Sequence, residues 1–142
     1  MYIEWKADYA TGLEIVDAQH RSLIRIINEL YSDIGEGRGD AALQRVFGEL
    51  RRYAEHHFGT EERLLKRHGL PAGHSAAHLA EHDDYCRRVA QLRFRYDEGK
   101  RLVPVQVLAF VSEWWLRHIA TSDRIFVALA AGDSDAVEQA AR

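Results

Sequence analysis

Only one cysteine, Cys86, stands among the 142 residues, so an internal disulfide is excluded and a reducing compartment is expected. Basic excess is missing too. Lys and Arg number 19 against 22 Asp and Glu, a net charge of −3, which argues against nucleic acid as a partner. The pairs Arg51-Arg52 and Arg87-Arg88 read as solvated helix faces. Met1 to Tyr9 holds no basic segment leading into an apolar run, so no secretory signal is read there. The most apolar stretch, Val103 to Trp115, is interrupted by Gln106 and Glu113 and is too short for a bilayer. These absences lead to the expectation of a soluble cytoplasmic protein without membrane contact. The length suits one domain, 1–142, with a bundle core at about 17–131.

What is present is helical periodicity. An irregular arm, Met1 to Val16, carries Trp5, Tyr9, Leu13 and Ile15 to pack over a bundle end, with a turn at Gly12. Asp17 is the expected N-cap of a first helix from Ala18 to about Glu36, with His20, Leu23, Ile27, Leu30 and Ile34 on one stripe. Gly35, Gly37 and Gly39 end it. Asp40 is expected to cap a second helix whose stripe runs Leu43, Val46 or Phe47, Leu50, Tyr53 or Ala54, His57, Glu61, Leu64 and His68. Gly69 to Gly73 breaks the chain. A third helix, about His74 to Glu98, has inward positions spaced four and three: His78, His82, Tyr85, Val89, Leu92 and Tyr96. Pro104 suits the first turn of a fourth, with Val107, Val111, Trp114, His118, Ile125 and Leu129 facing in. Gly132 ends it, and Ser134 is placed to cap a short tail helix through Ala141. The fold class is all-α: an up-down-up-down antiparallel four-helix bundle with an irregular N-terminal arm and a short C-terminal helix.

Onto this frame fall paired metal-ligand side chains. His57 and Glu61, like His78 and His82, are four apart and share a helix face; His118 precedes Asp123 by five, and His20 stands near the start of the first helix. At about 1.5 Å per residue, His57 and Glu61 lie roughly 25 to 30 Å along the second helix, and His118 and Asp123 roughly 20 to 30 Å along the fourth. His20, His78 and His82 lie near the starts of the first and third, which run antiparallel to the second and fourth. All seven therefore share one layer at one end of the bundle. Five imidazoles and two carboxylates suit a first-row transition ion such as iron rather than Mg²⁺, Ca²⁺ or structural zinc. Seven ligands are too many for one ion that also binds a small molecule, but fit two. With both carboxylates and a solvent oxygen bridging, about eleven of twelve octahedral places are filled.

Five residues do not share a face on an ideal helix, so a π-bulge or local unwinding is expected between His118 and Asp123. His56, His68 and His74 are read as ordinary polar positions, although His74, four before His78, is a rival in register. Cys86 is expected to be a small buried residue one turn from His82.

The motifs Gly12 with Ile15-Val16-Asp17-Ala18-Gln19-His20, then His57-Phe58-Gly59-Thr60-Glu61-Glu62, His78-Leu79-Ala80-Glu81-His82, and Trp114 through Asp123 resemble those of the hemerythrins, in particular the bacterial single-domain kind. The resemblance runs from Trp5 to about Phe126; Leu70 departs from it, since the family often has an aromatic before the proline. It implies two iron ions with a bridging oxo or hydroxo group. His78, His82 and His118 would hold one iron and His20 and His57 the other, with Glu61 and Asp123 bridging. It implies reversible dioxygen binding at the open iron as a hydroperoxide, and hence oxygen carriage, storage or delivery rather than catalysis. Nitric oxide, or small anions when oxidised, are further implied ligands. Leu23, Phe58, Trp114, Trp115, Leu116 and Ile119 are expected to wall the pocket.

Two alternatives from other classes stand beside this reading. A ferritin-like di-iron enzyme would need Glu-x-x-His on two helices, and no glutamate here is followed by histidine three residues later; a weak peroxidase or oxidase side activity is compatible. A sensing module for oxygen or nitric oxide, acting on an unidentified protein partner, would use the same site.

Overall fold

The structure, a computed structural model, describes residues 2–12, 14–68 and 72–120, and of 65, 68 and 72–75 the backbone alone. Its helices are α1 (Glu14–Gly35), α2 (Gly39–His68), α3 (Ala72–Asp97) and α4 (Val103–His118), preceded by a 3₁₀ turn at Ala7–Tyr9. No strand occurs among the described residues. The helices run up, down, up, down: α1 packs on α2 and α4, and α3 on α4 and α2. None is long and apolar enough to cross a membrane.

The wide apolar stripes of three helices make the core. Leu23, Ile27 and Leu30 of α1, Leu43, Val46 and Leu50 of α2, and Val103, Val107, Val111 and Trp115 of α4 are all buried. The seam of α3 is narrower. Tyr85 is buried there, but Val89, Leu92 and Tyr96 are only partly so. Two buried hydroxyls are satisfied inside their own helices: Thr60 donates to the His56 carbonyl at 2.9 Å and Ser112 to that of Leu108 at 2.6 Å.

Two turns owe their shape to glycine. At the end of α1, Gly37 (φ 77°) lets its own N–H reach the Ile34 carbonyl and that of Arg38 the Asp33 carbonyl. Gly99 (φ 74°) repeats the pattern after α3, with bonds to Tyr96 and Arg95. Both satisfy carbonyls that the helix leaves unpaired. The Tyr96 hydroxyl then donates to the Asp40 carbonyl at 3.0 Å, tying the end of α3 to the start of α2.

Several boundaries differ from the sequence reading. The first helix starts at Glu14, so Asp17 lies inside it rather than capping it. Its buried carboxylate accepts the Thr11 N–H at 2.8 Å and hydroxyl at 2.7 Å, and so anchors the chain ahead of the helix. Likewise α2 starts at Gly39, with Asp40 in its first turn, and the third helix starts at Ala72, two residues before His74. The arm lies along the flank of α1 instead of over a bundle end. Ile3 exchanges two hydrogen bonds with the Asn28 amide, Tyr2 stacks on Tyr31, and Arg21 covers Trp5. Leu13, Gly69 to Pro71, Ile125, Leu129, Gly132 and the tail helix at 134–141 lie outside the described residues.

Core burial and turn strain should separate in urea titrations. Leu43→Ala should lower stability by about 2–5 kcal/mol through lost burial and the cavity left behind. Gly99→Ala, around which there is open space, should cost only about 1–2 kcal/mol for its left-handed backbone.

Candidate metal centre

The centre is built around one carboxylate. Glu61 projects from α2 and is only 4 % exposed. One of its oxygens, Oε1, meets His57 Nε2 at 2.8 Å. The other, Oε2, faces three imidazoles: His78 Nε2 in close contact, His82 Nε2 at 2.8 Å and His118 Nε2 at 3.6 Å. His20 comes in from α1, its ring centroid 5.1 Å from that of His57. All six residues are buried. The structure thus brings together His20, His57, Glu61, His78, His82 and His118 from four helices. Asp123 lies outside the described residues.

The donor set fits a metal ion. Ligand atoms about 2.1 Å from one octahedral ion and at right angles lie about 3 Å from each other. The N···O separations of 2.8 and 3.6 Å straddle that value, and donor atoms of Glu61, His78, His82 and His118 all fall within 4.8 Å of one another. A carboxylate this deeply buried also favours a cation beside it on electrostatic grounds.

Stacked rings hold the imidazoles in place. Phe58 lies parallel to His82 with centroids 3.7 Å apart, Trp114 parallel to His118 at 4.6 Å, and Tyr53 parallel to His57 at 5.4 Å. Trp115, fully buried, presents edges to His57 and His118 and lies nearly parallel to Phe58. Leu23 and Ile119 are buried and Leu116 partly so. Burial pushes the Tyr85 phenol well above its ordinary range, so the ring edge-on to Phe58 stays neutral. Beyond His118 the helix widens into a π turn at residues 119–120.

A model of the hemerythrin HHE cation binding domain matches residues 11–130. The chain belongs to the hemerythrin family. It is 32 % identical to the bacteriohemerythrin of Pseudomonas aeruginosa LESB58 over 126 residues, covering 89 % of this chain and 80 % of that one. It is also 29 % identical to the bacteriohemerythrin of Clostridium acetobutylicum over 130 residues, 87 % and 97 % of the two chains, and 27 % identical to that of Methylococcus capsulatus over 120 residues, 84 % and 89 %. The hemerythrin match and the buried His/Glu cluster agree on a metal-binding site.

Sequence reasoning missed the outward ring nitrogens. His57 Nδ1 meets Gln19 Oε1 at 2.8 Å, His118 Nδ1 meets Glu81 Oε2 at 3.0 Å, and His82 Nδ1 meets Glu62 Oε1 at 3.4 Å. Each partner is the chain neighbour of a centre residue, a signal that was available in the sequence. His56 is exposed and contacts Gln19; of the His68 and His74 side chains nothing is described. Cys86 is exposed, contrary to expectation, because the narrow seam of α3 gives the inward position to Tyr85.

Replacing Glu61 by Gln should leave helix content unchanged by circular dichroism while metal retention falls at least about tenfold, as loss of a charged donor implies. Cys86 should react fully with a thiol reagent in the native protein. Burial raises its thiol, with Asp83 and Glu62 nearby adding to this, so at neutral pH its rate should lag that of a free thiol and the gap should close as pH rises through the raised value.

Proposed function

We propose that this chain binds dioxygen reversibly at a pair of iron ions, serving oxygen carriage, storage or delivery. The observation that carries the reading is the division of labour at Glu61, whose Oε2 faces His78, His82 and His118 while Oε1 faces His57. A carboxylate placed so has the geometry of a bridge between two ions. On this reading His78, His82 and His118 hold one iron and His20 and His57 the other. Asp123 is the second bridge. A π turn at 119–120 supports that reading, since donors five residues apart do not share a face on a regular α-helix.

Two ferrous ions, when bound, supply the two electrons that dioxygen accepts and returns. The side chains decide whether that exchange stays reversible. Leu23, Phe58, Trp114, Trp115 and Ile119 exclude water, and Leu116 extends the wall. Among the described residues no acid beyond the centre's own stands in the apolar wall, and Tyr85 keeps its proton. Such surroundings favour release of the ligand over its reduction. The histidine-rich donor set supports binding rather than oxygen activation, and the single cysteine supports a reducing, cytoplasmic setting.

Anaerobic reconstitution with ferrous iron, metal counting and a visible spectrum before and after air test this. Two irons per chain and a band that appears in oxygen and vanishes on its removal are expected. A band that decays irreversibly within one turnover, or one iron per chain, would overturn it in favour of an enzyme, a sensor or a mononuclear site.

A further inference from the structure

His57, His82 and His118 all present Nε2 to Glu61 and Nδ1 to an outer oxygen. A neutral imidazole has one proton to place. When the outer nitrogen carries it and donates it to an acceptor, the inner nitrogen is left with the lone pair that a metal needs. The outer acceptors are not equivalent. Gln19 offers a neutral amide to His57, and that amide is oriented by its own Nε2, 3.2 Å from Nε2 of exposed His56. Glu81 offers a carboxylate to His118 from the half-exposed mouth of a cleft between α3 and α4, lined also by Ala77, Ala80, Asp84 and Arg117. Glu62 of α2 adds a second, longer carboxylate contact at His82, at 3.4 Å. A carboxylate acceptor raises the donor strength of an imidazole more than a neutral amide does.

We propose that Glu81 is a positioning residue for His118 and Gln19 for His57, and that the contrast of carboxylate with amide makes the two halves of the centre electronically unequal, the His118 half being richer. The positioning roles stand on geometry alone; the inequality rests on the two-iron reading. Trp114 stacked on His118 fixes the plane of that ring but cannot choose which nitrogen bears the proton; the carboxylate of Glu81 draws it to Nδ1 at 3.0 Å, nearer than Glu61 on the Nε2 side at 3.6 Å.

Nitrogen-15 NMR of the histidines, in metal-free protein at about pH 8 where imidazole is neutral, tests the positioning directly. Wild type and Glu81→Gln should show His118 protonated at Nδ1, and Glu81→Ala should not. In iron-loaded protein, transfer of metal to a chelator should quicken about tenfold or more in Glu81→Ala and stay within about threefold of wild type in Glu81→Gln. The charge contrast is read separately. The reduction potential should rise in Glu81→Gln and fall in Gln19→Glu. An unchanged His118 tautomer in Glu81→Ala, or metal release from Glu81→Gln as fast as from Glu81→Ala, overturns the positioning role. Potentials that do not move overturn the inequality. Should wild type fail to take up two irons, the two-iron reading and the inequality fail while the NMR result still decides the role of Glu81.

Discussion

Removing a carboxylate from water costs several kcal/mol unless something of opposite polarity meets it, and Glu61 is the place where this fold accepts that cost. Four imidazole Nε2 atoms from α2, α3 and α4 approach its two oxygens. Much of the bundle can be understood from this need. The histidines of α2 and α4 come late in their helices and those of α1 and α3 early, so only antiparallel packing brings them level. Parallel helices would leave Glu61 buried with only His57 of its own helix beside it.

The surroundings sharpen the same requirement. Phe58, Trp114, Trp115 and Tyr53 fill the space around the imidazoles, lowering the local polarity and so strengthening any charge interaction within. A water-filled end would relax the demand on Glu61 and would equally weaken its hold on a cation. Rigidity follows from the same rings. An imidazole pressed against an aromatic face keeps its plane, and its outer contact with Gln19 or Glu81 fixes the ring's rotation within that plane.

The helices and their inward faces were legible because the stripes of α1, α2 and α4 are broad and regular, with Leu43 to Leu64 recurring at the helical period. The convergence of the histidines was legible too, since length along each rod is set by residue count. Boundaries were not. Asp17 has the look of a cap, an acid before an apolar run, but Thr11 folds back to satisfy its carboxylate and the helix begins a turn earlier. Cys86 was misplaced because only one position can point inward where the α3 seam is narrow, and Tyr85 has it. Gln19, Glu62 and Glu81 escaped because spacing says which face a ring occupies and nothing about which nitrogen faces the interior.

The widening after His118 completes the logic. Trp114 and His118 are four apart and stack with planes only 18° from parallel, an arrangement that regular α-helix provides and that a wider turn before His118 would disturb. The π turn begins only after that stack is made, at 119–120. A π turn is rare in helices and is found mostly at functional sites. Placed earlier, it would shift Trp115 out of the core it fills. Its position is therefore one that keeps the Trp114–His118 stack and the aromatic wall intact.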